Sequence, residues 1–168
     1  MTIAYIGLGS NLDAPVTQLI QAIQAVAKIP CSSIKACSSL YGSKPMGPQD
    51  QPDYINSVLA ISTELSSIAL LNALQAIELN FGRVRKDERW GARVLDLDIL
   101  LFGQEIINSD RLTVPHYGMK DREFVLLPLH EITQDLTLPC GESVSVLAEK
   151  IPLNGLEIKQ KVVLSEII

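Results

Sequence analysis

The sequence predicts an α+β sandwich, a mostly antiparallel sheet with helices packed on it. Three observations carry this. Short apolar strands and amphipathic helices alternate irregularly along the chain. Tight turns and a hairpin pattern replace the regular helical crossovers that a doubly wound sheet needs. The 168 residues, 47% hydrophobic and 20% charged, suit one domain over 1–168 with a full core and no disulfide or metal staple.

In chain order, Thr2 to Gly7 reads as a short strand stopping at Gly7 and Gly9. Asp13 and Pro15 open a helix over Pro15 to Lys28, with Val16, Leu19, Ile20, Ile23, Val26 and Ala27 at helical spacing and Pro30 beyond its end. A strand is predicted over Ile34 to Tyr41. Residues 42–53 hold two Gly and three Pro, which excludes a helix or a central strand and points to a binding loop. Tyr54 to Thr63 reads as a strand. Ser66 and Ser67 introduce a helix burying Ile68, Leu71, Leu74, Ile77 and Phe81, with Gly82 as its stop. A charged loop spans Arg83 to Arg93, followed by a strand over Val94 to Phe102. Gly103 and Gln104 turn the chain so that Glu105 to Ile107 pairs back as a hairpin. Short helices are predicted over Phe124 to Ile132 and Ser143 to Lys150, and a last strand over Ile158 to Leu164.

The net charge of −5 argues against a nucleic-acid binder. Yet eight of the 14 Lys and Arg lie between Arg83 and Arg122, which suggests a local anionic ligand. Cys31, Cys37 and Cys140 form no paired motif and read as reduced thiols of a cytoplasmic protein. No signal peptide and no membrane-length apolar run is visible. Two histidines, His116 and His130, are too few for a His-rich metal site.

The chemistry concentrates in Arg93-Val94-Leu95-Asp96-Leu97-Asp98-Ile99-Leu100-Leu101. On a strand, Leu95, Leu97, Ile99 and Leu101 make one apolar face, and Asp96 and Asp98 share the other with Cα atoms ~7 Å apart. Like charges so placed repel, and a divalent cation relieves them. An isolated Asp-x-Asp on a solvated sheet edge is unremarkable. Here the preceding eleven residues, Arg83 to Arg93, carry five cations and the only Trp. Arginine forks suit phosphate oxygens, and Trp90 can stack on a base or cover a site. Acids for metals beside cations for phosphates are what a metal–polyphosphate site needs. Arg111, His116, Tyr117, Lys120 and Arg122 can embrace a triphosphate from the other side. There is no G-x-x-x-x-G-K-[ST] loop, no complete dinucleotide fingerprint and no protein-kinase signature.

Several segments closely resemble the 6-hydroxymethyl-7,8-dihydropterin pyrophosphokinase family. They are Gly9-Ser10-Asn11, Gly47 through Asn56, Gly82-Arg83-Val84-Arg85, Arg89-Trp90-Gly91, Arg93 through Ile99 and Val114-Pro115-His116-Tyr117. The resemblance runs to about Leu129 and fades beyond it. It implies a ferredoxin-like fold, a monomer, and Mg²⁺-dependent transfer of pyrophosphate from ATP to the pterin hydroxymethyl group in folate biosynthesis, with AMP leaving. It implies that Asp96 and Asp98 bind two Mg²⁺ ions and that Arg83 and Arg93 assist catalysis. Gln75, Glu78, Arg85, Trp90, Arg93, Ile99, Arg111, Leu112, Thr113, His116, Tyr117 and Arg122 are implied to line the ATP site. Ser43, Met46, Tyr54, Asn56 and Phe124 are implied to form the pterin site, where Tyr54 and Phe124 can sandwich a flat ring and Asn56 offers a donor and an acceptor. The partners expected are small molecules, with neither nucleic acid nor membrane. The alternative is a non-enzymatic ferredoxin-like nucleotide- or RNA-binding domain, whose binding would be steeply salt-dependent and would need no Mg²⁺.

Overall fold

The first strand, β1 (Thr2–Ser10), does not stop at Gly7 and Gly9 but runs through both. In the computed structural model, which describes residues 1–11, 14–43, 54–82 and 95–168 (Ser43 by its backbone alone), every residue of β1 pairs with β4 (Tyr54–Thr63). Residues 4–9 also pair with β5 (Asp96–Phe102) on the other side. Hydrogen bonds on both edges hold the strand through its glycines, and a glycine inside a strand marks a close approach by a neighbour. The β4 bounds agree with those expected.

Pro15 opens α1 (Pro15–Val26), where its missing N–H costs nothing. The helix ends before Lys28 because its last turn tightens: Lys28 N–H donates to Ala25 O and Ile29 N–H to Val26 O, three residues back. The strand expected over 34–41 is two strands, β2 (Ser32–Cys37) and β3 (Leu40–Ser43), both paired with β4. The break falls at Ser38 and Ser39, both buried. There the Ser38 hydroxyl accepts the Val58 N–H at 2.9 Å while Ser38 N–H donates to Val58 O at 2.9 Å, so a side chain stands in for a rung of the ladder.

Ser66 caps α2 (Ser67–Asn80), its hydroxyl accepting from Ala69 N–H at 3.1 Å. Leu70, Leu71, Leu74, Ile77 and Glu78 are its buried residues, while the expected Ile68 and Phe81 lie half-buried at the margin. Gly82 follows in the left-handed region at φ 86°, as its role of stop requires.

The alternation expected along β5 fails after Ile99. The pairing shifts from Ile6 opposite Ile99 to Tyr5 opposite Leu101, so Leu100 is the extra residue of a bulge. Leu95, Leu97, Ile99 and Phe102 join the core under α1 and α2, while Leu100 and Leu101 turn to the opposite face. The hairpin expected of Glu105 to Ile107 on β5 does not form. Instead β6 (Ile107–Asn108) pairs with β7 (Thr113–Val114), and the outer edge of β5 is taken by His116, whose N–H donates to Leu100 O at 2.9 Å. The Val114–Pro115 peptide is cis.

After a 3₁₀ turn at Met119–Asp121 come α3 (Glu123–Ile132) and α4 (Val144–Lys150), both as expected. β8 (Glu157–Gln160) pairs with β3 and is shorter than the strand expected over 158–164; its successor residues form α5 (Leu164–Ile167), whose Ile167 O accepts from Gln24 Nε2 at 2.8 Å. The sheet order is β5-β1-β4-β3-β8, with β2 also on β4, and every pairing is antiparallel. One face packs on α1 and α2. The other packs on α3 and α4 around Val58, Leu100, Leu101, Val125, Leu129 and Val144. Among the described residues no helix is long and apolar enough to cross a membrane.

Replacing Ser38 by Ala strands the buried Val58 N–H, which costs about 1–3 kcal/mol. The urea midpoint should fall with the slope unchanged; an unmoved midpoint would show that the hydroxyl is not a rung of the sheet.

Candidate active site

The antiparallel register places four side-chain positions in one row across the sheet: Tyr41 on β3, Asn56 on β4, Gly9 on β1 and Asp96 on β5. The next row runs Val58, Gly7, Asp98. All lie on the α3 face, since Val58 packs in the α3 cluster and side chains alternate along each strand. With strands about 4.8 Å apart, Asn56 and Asp96 stand roughly 10 Å from one another across a glycine. That glycine has no room for a side chain: a Cβ on Gly9 would come within 2.9 Å of Asn56 Oδ1. Neither glycine places a side chain between the Asn56 amide and the pair of acids, and the neighbours fill the space they leave: Leu100 lies 3.3 Å from where a Gly7 Cβ would stand.

Asp98 is exposed and Asp96 half-buried. Between them the Leu97 N–H donates to Glu78 Oε2 at 2.8 Å. Glu78 is buried, so its carboxylate anchors the acid-bearing strand to α2. Asp96 and Asp98 share the other face, and two like charges so placed favour a cation. Among the described residues no group of three or more His, Cys, Asp or Glu could enclose a metal. Two exposed or half-exposed carboxylates on one strand face instead suit Mg²⁺, which takes hard oxygen donors and keeps water or phosphate ligands.

His116 sits at the far side of this pair. Its Nδ1 accepts the Gly118 N–H at 3.2 Å, so the ring proton resides on Nε2, and its ring stacks on Tyr117 at 4.7 Å. Burial lowers its pKa from the ordinary 6.5; Asp98 opposes that shift and Arg122 adds to it. The Arg122 guanidinium lies 5.7 Å from the Tyr117 ring centre and 5.8 Å from that of Phe124. It crosses the bare Gly118, where a Cβ would meet Arg122 Cζ at 2.8 Å. Arg111 is braced on α2, its Nη2 donating to Asn72 Oδ1 at 2.6 Å and Gln75 Oε1 at 3.1 Å.

Residues 5–134 match the family described as 7,8-dihydro-6-hydroxymethylpterin-pyrophosphokinase (HPPK). The chain belongs to this family. A relative from Haemophilus influenzae, named 2-amino-4-hydroxy-6-hydroxymethyldihydropteridine pyrophosphokinase, is 54% identical over 150 residues, covering 89% of this chain and 93% of its own. A relative of the same name from Pseudomonas aeruginosa is 50% identical over 153 residues, covering 91% and 94%. In three dimensions the chain is similar to Plasmodium falciparum HPPK-DHPS solved with pteroate, with a TM-score of 0.70 at 14% identity over 89% of this chain. It is also similar to an HPPK-DHPS solved in complex with substrates, with a TM-score of 0.69 at 12% identity. These two likenesses concern the fold. The chain spans only 42% and 45% of the two solved chains. Family membership sets aside a non-enzymatic nucleotide- or RNA-binding domain.

Within the HPPK frame, the structure brings Asp96, Asp98, Asn56 and Tyr54 to one sheet face. It adds Phe124 from the first turn of α3, which packs on β4, and His116, Tyr117 and Arg122 from the segment before α3. Gln75, Glu78 and Arg111 meet along α2. Ile99 and Leu112 are buried in the α1–α2 core, so only their backbones are available to a ligand, and Thr113 lies exposed on β7. Lys120, expected to face a triphosphate, is an exposed cation paired with Glu142 at 2.7 Å. Met46, Arg83, Arg85, Trp90 and Arg93, and the side chain of Ser43, lie outside the described residues. Asn72 was missed, although it stands three residues before Gln75 and hence on the same helix face. The row that sets Gly9 between Asn56 and Asp96 was missed because it depends on register.

Because the His116 pKa is lowered in the folded protein, its neutral form is favoured, and the native state should lose stability as the pH falls from about 6.5 toward the folded midpoint. NMR titration of the nucleotide-free protein should place His116 below 6.5. Asp98→Asn should lower that midpoint further and Arg122→Gln should raise it; a wild-type midpoint above 6.5 contradicts this arrangement.

Proposed function

We propose that this sheet face carries out Mg²⁺-dependent pyrophosphoryl transfer from ATP to 6-hydroxymethyl-7,8-dihydropterin, a step of folate biosynthesis, with AMP as the second product. The observation that supports the reading is the row Asn56–Gly9–Asp96, in which one glycine separates an amide suited to a pterin edge from an acid suited to a metal.

Asn56 offers a donor and an acceptor to the pterin edge, while Tyr54 and Phe124 flank the ring. The hydroxymethyl oxygen then lies beside Gly9 and attacks the β-phosphorus in line. The C–O–Pβ linkage forms as the hydroxyl O–H bond breaks and its proton passes to solvent, the Pβ–O bond of the Pα–O–Pβ bridge breaks, and AMP departs with the bridging oxygen. Asp96 and Asp98 are the residues that would hold two Mg²⁺ ions, which supply charge neutralisation and polarise phosphoryl oxygens. Arg111 and Arg122 offset the remaining triphosphate charge, and Gln75 keeps Arg111 in place. Arg83 and Arg93 are assigned to catalysis, Arg85 and Trp90 to the nucleotide, and Ser43 and Met46 to the pterin, on the motif resemblance. His116 is neutral before the nucleotide binds and holds its Nε2 proton available to an anionic oxygen. We place the enzyme in the cytoplasm as a monomer of one domain whose partners are small molecules. Its −5 charge disfavours nucleic acid.

Incubation with MgATP and the reduced pterin should yield AMP in step with pyrophosphorylated pterin on chromatography. ADP in place of AMP, or no nucleotide consumed, contradicts the reading. Asp98→Ala should lower kcat about 100-fold or more, the scale of losing one group that stabilises transition-state charge, with the thermal midpoint kept because Asp98 is exposed. Gly9→Ala pushes Asn56 off its position and should raise the pterin KM roughly tenfold, equivalent to one lost hydrogen bond, with the MgATP KM unchanged. Equal changes in both KM values would place Asn56 outside the pterin site.

A further inference from the structure

Glu131 lies on the last turn of α3, outside every group considered so far. Its carboxylate gathers three donors from one short stretch of the sheet. Oε1 accepts the Tyr41 hydroxyl at 2.6 Å and the Ser39 N–H at 3.0 Å. Oε2 accepts the same N–H at 3.1 Å and the Ser39 hydroxyl at 2.9 Å. Ser39 belongs to the break between β2 and β3. Tyr41 is directly opposite Asn56 and shares its face. Phe124 stands seven residues before Glu131, about two helical turns and 10 Å along the same side of α3.

Two points of α3 are thus committed to the sheet. One presents Phe124; the other is tied to the neighbour of Asn56. From this we propose that Glu131 is a positioning residue for the pterin site, acting through Tyr41 and Ser39 to set how far α3, with Phe124, stands from the strand that carries Tyr54 and Asn56. The inference rests on the pterin reading above.

The chemistry of the contact suits a carboxylate. Tyr41 OH, Ser39 N–H and Ser39 OH all donate to it, and a carboxylate accepts at both ends and satisfies the three at once. A glutamine keeps much of this, because the Ser39 hydroxyl can turn and accept from its NH₂, so removing the side chain is the cleaner break. Tyr41 itself is buried, and burial, with Glu131 adding to it, pushes its phenol pKa well above the ordinary value of 10. Its proton therefore stays in the contact through the physiological range. Glu131 is exposed at its outer side and belongs to neither apolar cluster, so the contact ties helix to strand without being part of the packing.

The test is steady-state kinetics on wild type, Glu131→Ala, Tyr41→Phe and the double variant, with pterin and MgATP varied in turn, alongside thermal melts. Glu131→Ala should raise the pterin KM roughly tenfold, as expected when one binding contact is lost through mispositioning. The MgATP KM should move less than about twofold, since Asp96, Asp98 and Arg111 are not tied to Glu131. The double variant should be no worse than Glu131→Ala alone, because both substitutions break one contact. Tyr41→Phe removes a single oxygen and serves if Glu131→Ala does not fold; it should raise the pterin KM in the same selective way. A lower melting temperature with both KM values unchanged would make Glu131 a structural tie only and overturn the proposal. So would parallel rises in both KM values. A wild-type protein that forms no AMP would overturn the pterin reading itself, and the positioning role with it, whereas an active wild type with insensitive variants overturns the positioning role alone.

Discussion

Gly7 and Gly9 sit in the middle of the sheet, paired on both edges, and project nothing onto the face that carries Asn56, Asp96 and Asp98. In a packed interior the space a glycine leaves is taken by its neighbours: Asn56 Oδ1 approaches the place of a Gly9 Cβ, and Leu100 approaches that of Gly7 at 3.3 Å. A strand paired on both edges therefore has little tolerance for a side chain at these two positions. The acids and the amide stand on either side of this strip of glycines.

The opposite face supplies the stability that such a strip does not. Ala4, Ile6 and Leu8 of the same strand point into the core with Leu19, Ile23, Leu70 and Leu74 of α1 and α2. Burial of this kind stabilises by roughly 25 cal/mol per Å² of apolar surface. Glu78 connects the two faces. It is a buried carboxylate from the helical layer whose Oε2 accepts a backbone N–H between the two aspartates. A buried acid is costly unless it is hydrogen-bonded, and this one is placed where its hydrogen bond also fixes the strand on which Asp96 and Asp98 stand.

Much of the site was legible because alternation is local. Asp96 and Asp98 share a face for the same reason that Leu95, Leu97 and Ile99 share the other, and the bounds of β4 follow from its unbroken apolar run between a proline-rich loop and a serine pair. What alternation does not reveal is what the neighbouring strand does. The bulge at Leu100 comes from a one-residue shift against β1, and it moves Leu101 to the α3 face. The break between β2 and β3 depends on Ser38 meeting Val58, twenty residues away in sequence. Gly7 and Gly9 read as a stop because glycine usually weakens a strand, and two flanking strands override that preference. Tyr41 and Glu131 gave no signal at all, since neither belongs to a motif and they are ninety residues apart.

The same distinction between a residue's type and its partners separates the cations. Lys120 and Arg111 are both exposed and both looked like phosphate ligands. Lys120 is met by the Glu142 carboxylate, so a phosphate at Lys120 would have to compete with an acid already paired to it. Arg111 is held by Asn72 and Gln75, which are neutral acceptors. They fix the guanidinium in place and leave its charge intact. Arg122 is treated alike: it lies across the bare Gly118 near the faces of Tyr117 and Phe124, which orient a cation without neutralising it. A site that must stabilise charge developing on a phosphate needs cations that are rigid and still charged. Neutral amides and aromatic rings meet both requirements, whereas a carboxylate partner meets only the first.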